Sequence, residues 1–283
     1  MRKFVPFSLN LRGHLVEFTR PQIMGILNVT PDSFYAASRQ FDADSIASYA
    51  ECMIANGADM IDLGAYSSRP GADEVTEKEE IARLELGIRT IREKVSDSVI
   101  ISIDTFRSEA ARIAIEEFGA DIINDISGGD LDKNMYATVA SLGAPYILMH
   151  MRGTPSSMQS MTEYEDVTAD VLADLARKLS ILNDYGINDV IVDPGFGFAK
   201  TLEQNYRLMR NLELFHVLGR PLLIGISRKS MIYKAIDRNP EDALTGTTVL
   251  NTISLLQGAS ILRVHDAREA SDAVKLVNLT LNS

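Results

Sequence analysis

Eight short apolar runs, at 22–27, 60–63, 99–103, 122–124, 146–149, 190–192, 222–225 and 261–264, each break off into polar residues and give way to a longer stretch of helical periodicity. That alternation leaves few folds. Short buried strands joined by helices pair in parallel, and eight such units favour closure into a barrel over an open doubly wound sheet. Helices are expected at 45–56, 76–94, 108–118, 134–142, 164–185, 202–214, 243–257 and 267–279. Several of them stop at a glycine, among them Gly57 and Gly143, where the left-handed geometry that ends a helix carries no steric penalty. Ahead of the barrel, 7–11 and 14–18 alternate around Arg12-Gly13 as a hairpin. The expected fold is α/β, a single (β/α)8 barrel of the TIM type spanning 1–283, with an N-terminal β-hairpin (1–20) capping the bottom of the barrel (21–283).

In either fold, ligands gather at the carboxyl ends of the strands. The successive tips carry Asn28, Ser68-Arg69-Pro70-Gly71, Asp104, Asn124-Asp125, His150, Asp193-Pro194-Gly195, Ser227-Arg228-Lys229 and Arg263-Val264-His265. A formal net charge of -11 argues against a general nucleic-acid binder or a protein of anionic membrane surfaces, so clustered basic residues carry more information here. No run of 18 apolar residues is present, and Met1-Arg2-Lys3 does not open a signal peptide; a cytoplasmic protein is expected. The one cysteine, Cys52, lies among small helical residues and reads as a buried structural thiol.

Asp104, Asn124 and Asp193 each follow apolar residues that must be inside, and together they can read a flat heterocycle with adjacent N–H donors and a carbonyl. Each alone has a plainer role as a helix cap or loop anchor, above all Asp104 with Thr105 and Ser108 behind it. Arg69, Lys229, Arg263 and His265 suit an anionic ligand. The glycines of 193–198 let backbone and the rings of Phe196 and Phe198 approach a ligand, or simply supply positive φ. His150 reads equally as structural or catalytic, and Met149 and Met151 as core or pocket wall. The four histidines lack zinc-ligand spacing. Asn28 can offer one carbonyl oxygen to Mg2+ among waters and phosphate oxygens, although a turn role beside Pro31 and Asp32 is the stronger reading without analogy.

These motifs, taken in order from Asn28-Val29-Thr30-Pro31-Asp32-Ser33-Phe34 through Ser68-Arg69-Pro70-Gly71, Ile103-Asp104-Thr105, Asn124-Asp125, His150-Met151-Arg152-Gly153, Asp193 to Phe198 and Ser227-Arg228-Lys229-Ser230 to Arg263-Val264-His265, resemble the dihydropteroate synthase family. The resemblance implies a transferase of folate biosynthesis that joins 6-hydroxymethyl-7,8-dihydropterin diphosphate to 4-aminobenzoate and releases diphosphate. It implies Asp104, Asn124, Asp193, Lys229 and Arg263 on the pterin, with Asp104, Lys229, Arg263 and His265 as the catalytic set. Asn28, Ser68, Arg263 and His265 would face the diphosphate, Asn28 holding the magnesium. Phe34, Ser68, Arg69, Pro70, Phe198 and Ser230 would surround 4-aminobenzoate. A homodimer is implied as well, with Val249, Ile253, Leu256, Val274 and Leu276 as candidate face residues.

Two stretches depart from the family pattern. Ser68 stands where threonine is usual, keeping the hydroxyl and losing a methyl, which implies looser packing on the aminobenzoate and a modestly altered sulfonamide sensitivity. Ala65-Tyr66 replaces the commoner Gly-Gly-Glu. The competing readings are a methyltetrahydrofolate:corrinoid methyltransferase-like barrel and a non-catalytic pterin-binding paralogue. The first would not need the Asn28–Phe34 loop, Lys229 or Arg263-Val264-His265, and the second has no use for an anion-leaving site of Asn28, Arg69, Lys229, Arg263 and His265.

Overall fold

Strand and helix alternate as the hydrophobic pattern predicts. A computed structural model describes residues 2–29, 43–66 and 75–283. The hairpin is β1 (Phe7–Leu11) with β2 (His14–Phe18), and the barrel strands are β3 (Gln22–Asn28), β4 (Met60–Gly64), β5 (Ile100–Asp104), β6 (Ile122–Asp125), β7 (Tyr146–Met149), β8 (Val190–Asp193), β9 (Leu223–Ile224) and β10 (Ile261–Val264). The helices among the described residues are α1 (Ala43–Ala55), α2 (Glu77–Thr90), α3 (Ser108–Glu116), α4 (Met135–Leu142), α5 (Val167–Asp184), α6 (Leu202–Arg210), α7 (Ser230–Tyr233), α8 (Leu244–Leu256) and α9 (Ala267–Asn282). The parallel sheet runs β8-β7-β6-β5-β4-β3-β10-β9, and a bridge from Val192 to Leu222 joins its two ends. The sheet thereby closes into a barrel.

Side chains alternate in and out along each strand, so every second residue enters the barrel. The inward set at the amino ends of the strands is apolar: Met24, Met60, Ile122, Ile147, Ile191, Leu223 and Ile261 form one cluster with Leu9, Leu11 and Phe18 of the hairpin. Their outward neighbours, such as Ile61, Ile123 and Leu262, pack under the helices in a second cluster. The hairpin is therefore the plug of the barrel floor. Its turn takes Arg12 and Gly13 to φ 50° and 84°, and it is tied down by Arg12 Nε to Asp121 Oδ1 (2.7 Å) and by the amide of Asn10 to Asp189 Oδ2 (2.8 Å). Leu9 is 1% exposed. Leu9→Ala should lower stability by roughly 2–5 kcal/mol in a denaturant titration while leaving substrate KM values unchanged, since the floor lies below the site.

Some boundaries move, for physical reasons. Helix α5 begins at Val167, not at 164, because the Asp166 side chain caps it by accepting from the amides of Thr168 and Ala169. The stretch predicted as helix to 214 leaves α geometry after Arg210 and continues as a 3₁₀ segment, Leu212–Leu218. Cys52 is exposed, not buried, because the buried stripe of α1 runs through Ile46, Ala47, Ala50 and Met53 and passes it by.

Candidate active site

Two residues beyond the apolar floor, on the same inward rows, the chemistry changes. Asp62 on β4, Asn124 on β6, Asp193 on β8 and Arg263 on β10 stand directly above Met60, Ile122, Ile191 and Ile261. Strand periodicity therefore converges them on one mouth. Arg263 is the centre of the group: its Nε donates to Asp62 Oδ2 at 2.6 Å and its Nη2 to Asp104 Oδ2 at 2.7 Å. Asn124 Nδ2 donates to the same Asp62 oxygen at 3.0 Å.

Burial raises the pKa of Asp104 against the opposing pull of Arg263, with Asp62, Glu80 and Asp125 adding to the rise. Burial also raises Asp193, opposed chiefly by the Lys229 ammonium and by the Gly195 amide, which donates to Asp193 Oδ1 at 2.7 Å. Between Asp193 and Arg263 the chain has Gly225, where a methyl would sit 3.8 Å from Asp193 Oδ2 and from Arg263 Cδ. A larger side chain there would fill the slot between them.

Lys229 reaches the opening from the β9 tip. Its Nζ donates to the Phe196 carbonyl at 2.5 Å and lies 4.4 Å from the centroid of the Phe198 ring, a cation–π distance. Burial lowers its pKa to about 8, against the raising effect of Asp193. Arg228 just before it adopts φ 55°, held by a bidentate pair with Asp266 (2.9 and 2.7 Å) and by its amide on Thr247 Oγ1. Arg228 thus turns away from the mouth while Lys229 turns in. Ser230 follows as the first residue of α7.

His265 stands on the β10 tip, where Ser227 Oγ accepts its amide (3.1 Å) and lies 3.0 Å from its Nδ1. Asn28 ends β3 with its Oδ1 across Gly64, where a methyl would lie only 2.8 Å away. Phe198 borders a third apolar cluster made of Ile126, Met149, Met151, Met158 and Ala199, with Phe106 and Leu131. Met149 and Met151 are buried within this cluster, each 3% exposed.

His150 is held inside the wall beside the 193–198 loop. It is 1% exposed, burial drives its pKa down to about 2, and its Nδ1 meets the Lys200 ammonium at 3.1 Å. Asp125 points outward from β6 and binds Ser127, Gly129 and the Tyr146 hydroxyl, so it organises the loop and not the pocket. Of the expected site residues, Asn28, Asp104, Asn124, Asp193, Phe198, Lys229, Ser230, Arg263 and His265 all lie at the carboxyl end of the barrel. Phe34, Ser68, Arg69 and Pro70 lie outside the described residues.

Sequence reasoning missed Asp62 and Lys200. Asp62 was detectable, since it is the polar residue two steps above Met60 on an inward row. Lys200, 5% exposed, donates to the carbonyls of Gly195 (2.8 Å) and Phe198 (3.0 Å) from inside the loop. Nothing in a linear sequence marks a lysine that folds back on its own loop. Tyr66 packs edge-on to Phe106 with ring centroids 5.3 Å apart, and the Arg107 guanidinium lies over both rings.

Comparison with known proteins is consistent across sequence and structure. A family model described as "Pterin binding enzyme" matches residues 24–265. The dihydropteroate synthase of Clostridium beijerinckii is 42% identical over 263 residues, covering 92% of this chain and 94% of its own. A crystal structure of the Yersinia pestis dihydropteroate synthase with a sulfonamide drug complex superposes with a TM-score of 0.90 at 36% identity, covering 98% and 100% of the two chains. The Xanthomonas albilineans dihydropteroate synthase with 4-aminobenzoic acid does so with a TM-score of 0.90 at 32% identity, covering 98% of each. With its barrel, its polar mouth and these relatives agreeing along nearly the full length, the chain belongs to the pterin-binding enzyme family, among the dihydropteroate synthases.

Proposed function

We infer that this chain condenses 6-hydroxymethyl-7,8-dihydropterin diphosphate with 4-aminobenzoate, giving 7,8-dihydropteroate and diphosphate. The observation that carries the residue assignment is Arg263, fixed by two carboxylates at a mouth whose far side holds Asp193 and Lys229. A pterin ring needs hydrogen-bond acceptors for its amino and N–H edge and a donor for its carbonyl. Asp193, Asn124 and Lys229 supply them, with the Arg263 guanidinium over the ring face and Asp104 at the rim.

The aromatic amine is a neutral nucleophile that needs no strong base, so the demanding event is departure of diphosphate from the pterin methylene. As the C–O bond breaks, negative charge builds on the leaving group and positive charge spreads into the ring. Arg263 and His265 meet the first, and the carboxylates of Asp104 and Asp193 the second. The amine then forms the C–N bond and its surplus proton passes to water, leaving with the released diphosphate. No protein nucleophile takes part. Phe34, Ser68, Arg69, Pro70, Phe198 and Ser230 are proposed to surround the aminobenzoate, Ser68 also facing the diphosphate.

Magnesium fits the donor set. The Asn28 carbonyl oxygen is a hard ligand and the bare Gly64 leaves the space beside it clear, so one protein oxygen with waters and diphosphate oxygens gives the sparse coordination Mg2+ favours. Bound there, the ion would neutralise charge on the leaving diphosphate.

A coupled assay of diphosphate release, dependent on both substrates, tests the assignment. Lys229→Ala and Asp104→Ala should each lower kcat/KM for the pterin diphosphate by roughly 10²–10³-fold. In the wild type that parameter should fall as pH rises through about 8, where the Lys229 ammonium is lost, and should fall again on the acid side as Asp104 takes up a proton. Methyl transfer to a corrinoid without diphosphate release would reverse the conclusion, and pterin diphosphate binding without turnover would indicate a binder.

The protein is proposed to act in the cytoplasm as a homodimer. No helix among the described residues is long and apolar enough to cross a membrane. Helices α8 and α9 expose Val249 (52%), Ile253 (37%) and Leu276 (65%), whereas Val274 faces the barrel. Sedimentation should give twice the chain mass, and Leu276→Glu with Val249→Glu should halve it; a monomeric wild type would refute the dimer.

A further inference from the structure

The binding and leaving-group groups so far described do not explain why the guanidinium at the centre of the mouth points where it does. Asp62 is 0% exposed, yet it carries a carboxyl group and stands two residues below the tip of β4. One of its oxygens, Oδ2, takes both the Nε–H of Arg263 (2.6 Å) and the Nδ2–H of Asn124 (3.0 Å). The other, Oδ1, is buried and meets no hydrogen-bond donor among the described residues. Every donor that Asp62 finds therefore belongs to a proposed ligand-binding side chain, one from β10 and one from β6. We propose that Asp62 is the positioning residue of this site, orienting Arg263 and Asn124 together for the pterin diphosphate without touching it.

The geometry explains how. A guanidinium held at Nη2 alone can pivot about that bond, whereas Asp62 and Asp104, from different strands, hold Nε and Nη2 along one edge and fix its plane. Among the described residues no acceptor takes Nη1, which leaves that edge for an anion. The same carboxylate oxygen demands the NH2 end of Asn124, so the carboxamide oxygen is the atom left for a ring N–H. Ser102, the register partner of Asp62 on β5, has its hydroxyl buried without a partner as well, so nothing from that side competes for Asp62.

The inference rests on the synthase reading, and its test keeps the two apart. Wild-type protein is first shown to release diphosphate only with both substrates; failure there sinks the reading itself. Given an active wild type, Asp62→Asn keeps the shape and removes the charge, and kcat/KM for the pterin diphosphate should fall about 30- to 100-fold while KM for 4-aminobenzoate stays within about twofold. A double-mutant cycle is decisive. A residue that works through Arg263 and Asn124 adds less once Arg263 is changed, so the loss caused by Asp62→Asn should be several-fold smaller in the Arg263→Lys background than in the wild type. If Asp62→Asn does not fold, Asp62→Ser takes its place in the cycle. Multiplicative losses, unchanged turnover in the single variant, or equal loss for both substrates would each overturn the proposal.

Discussion

Replacing Arg263 with alanine should reduce turnover by roughly 10³-fold and lower stability at neutral pH by about 3–5 kcal/mol. The two losses have one origin. Removing the guanidinium leaves Asp62, 0% exposed, and Asp104 as neighbouring carboxylates with no cation between them, and an uncompensated buried charge costs far more than the pair contributed. In the intact protein Arg263 already opposes a rise in the Asp104 pKa caused by burial, so without it Asp104 must rise further. The sign of the pH effect follows. A carboxyl whose pKa is higher folded than unfolded binds more protons in the native state between those two values, so stability falls as pH rises through that window. Arg263→Ala should therefore be destabilised most at neutral and alkaline pH and recover part of the loss near pH 5. Urea titrations at the two pH values check it. A loss of turnover with no pH-dependent loss of stability would mean that the carboxylates find other partners, and Arg263 would not be their counter-ion.

That coupling was only half legible in the sequence. The strands could be read because each apolar run is buried on both faces, under helices outside and over the hairpin plug inside, and the tips followed from where each run ended. Residues at a tip, such as Asp104, Asp193 and Arg263, were found by that rule. Asp62 was not, because it precedes Leu63 and Gly64 and looks like an interruption of a strand. Inward periodicity corrects the error: from the floor residues Met60, Ile122, Ile191 and Ile261, a step of two lands on Asp62, Asn124, Asp193 and Arg263 in turn. The same rule separates Asn124, which points in, from Asp125, which points out and ties a loop to Tyr146. Contacts made by a side chain against its own loop escape any such periodicity. The Lys200 ammonium inside 195–198 and the Arg228 pair with Asp266 are of this kind, because no local pattern encodes which carbonyl or carboxylate a long side chain will reach.

Gly195→Ala should prove nearly as damaging as loss of a charged group, although no functional side chain is removed. Gly195 sits at φ +71°, and a methyl on it would lie 2.0 Å from the His150 carbonyl oxygen, a backbone atom that cannot turn aside. The left-handed geometry alone costs an alanine about 1–2 kcal/mol, and relieving the overlap requires the tips of β7 and β8 to separate. Separation has chemical consequences, since the Gly195 amide holds Asp193 Oδ1 at 2.7 Å and the next carbonyl, that of Phe196, receives the Lys229 ammonium at 2.5 Å. Lys200 transmits the strain, because it binds the Gly195 and Phe198 carbonyls and His150 at once. A displacement near 1 Å at both pterin contacts should lower kcat/KM for the pterin diphosphate by about 10²-fold. Gly143→Ala is the matched control. Gly143 has φ +61° at the end of α4 with nothing within 4 Å of an added methyl, so it should show the strain in a melting curve and none of the loss in turnover. Equal kinetics in the two variants would show that the Gly195 loop does not set the positions of Asp193 and Lys229, and that the pocket tolerates movement of its most crowded wall.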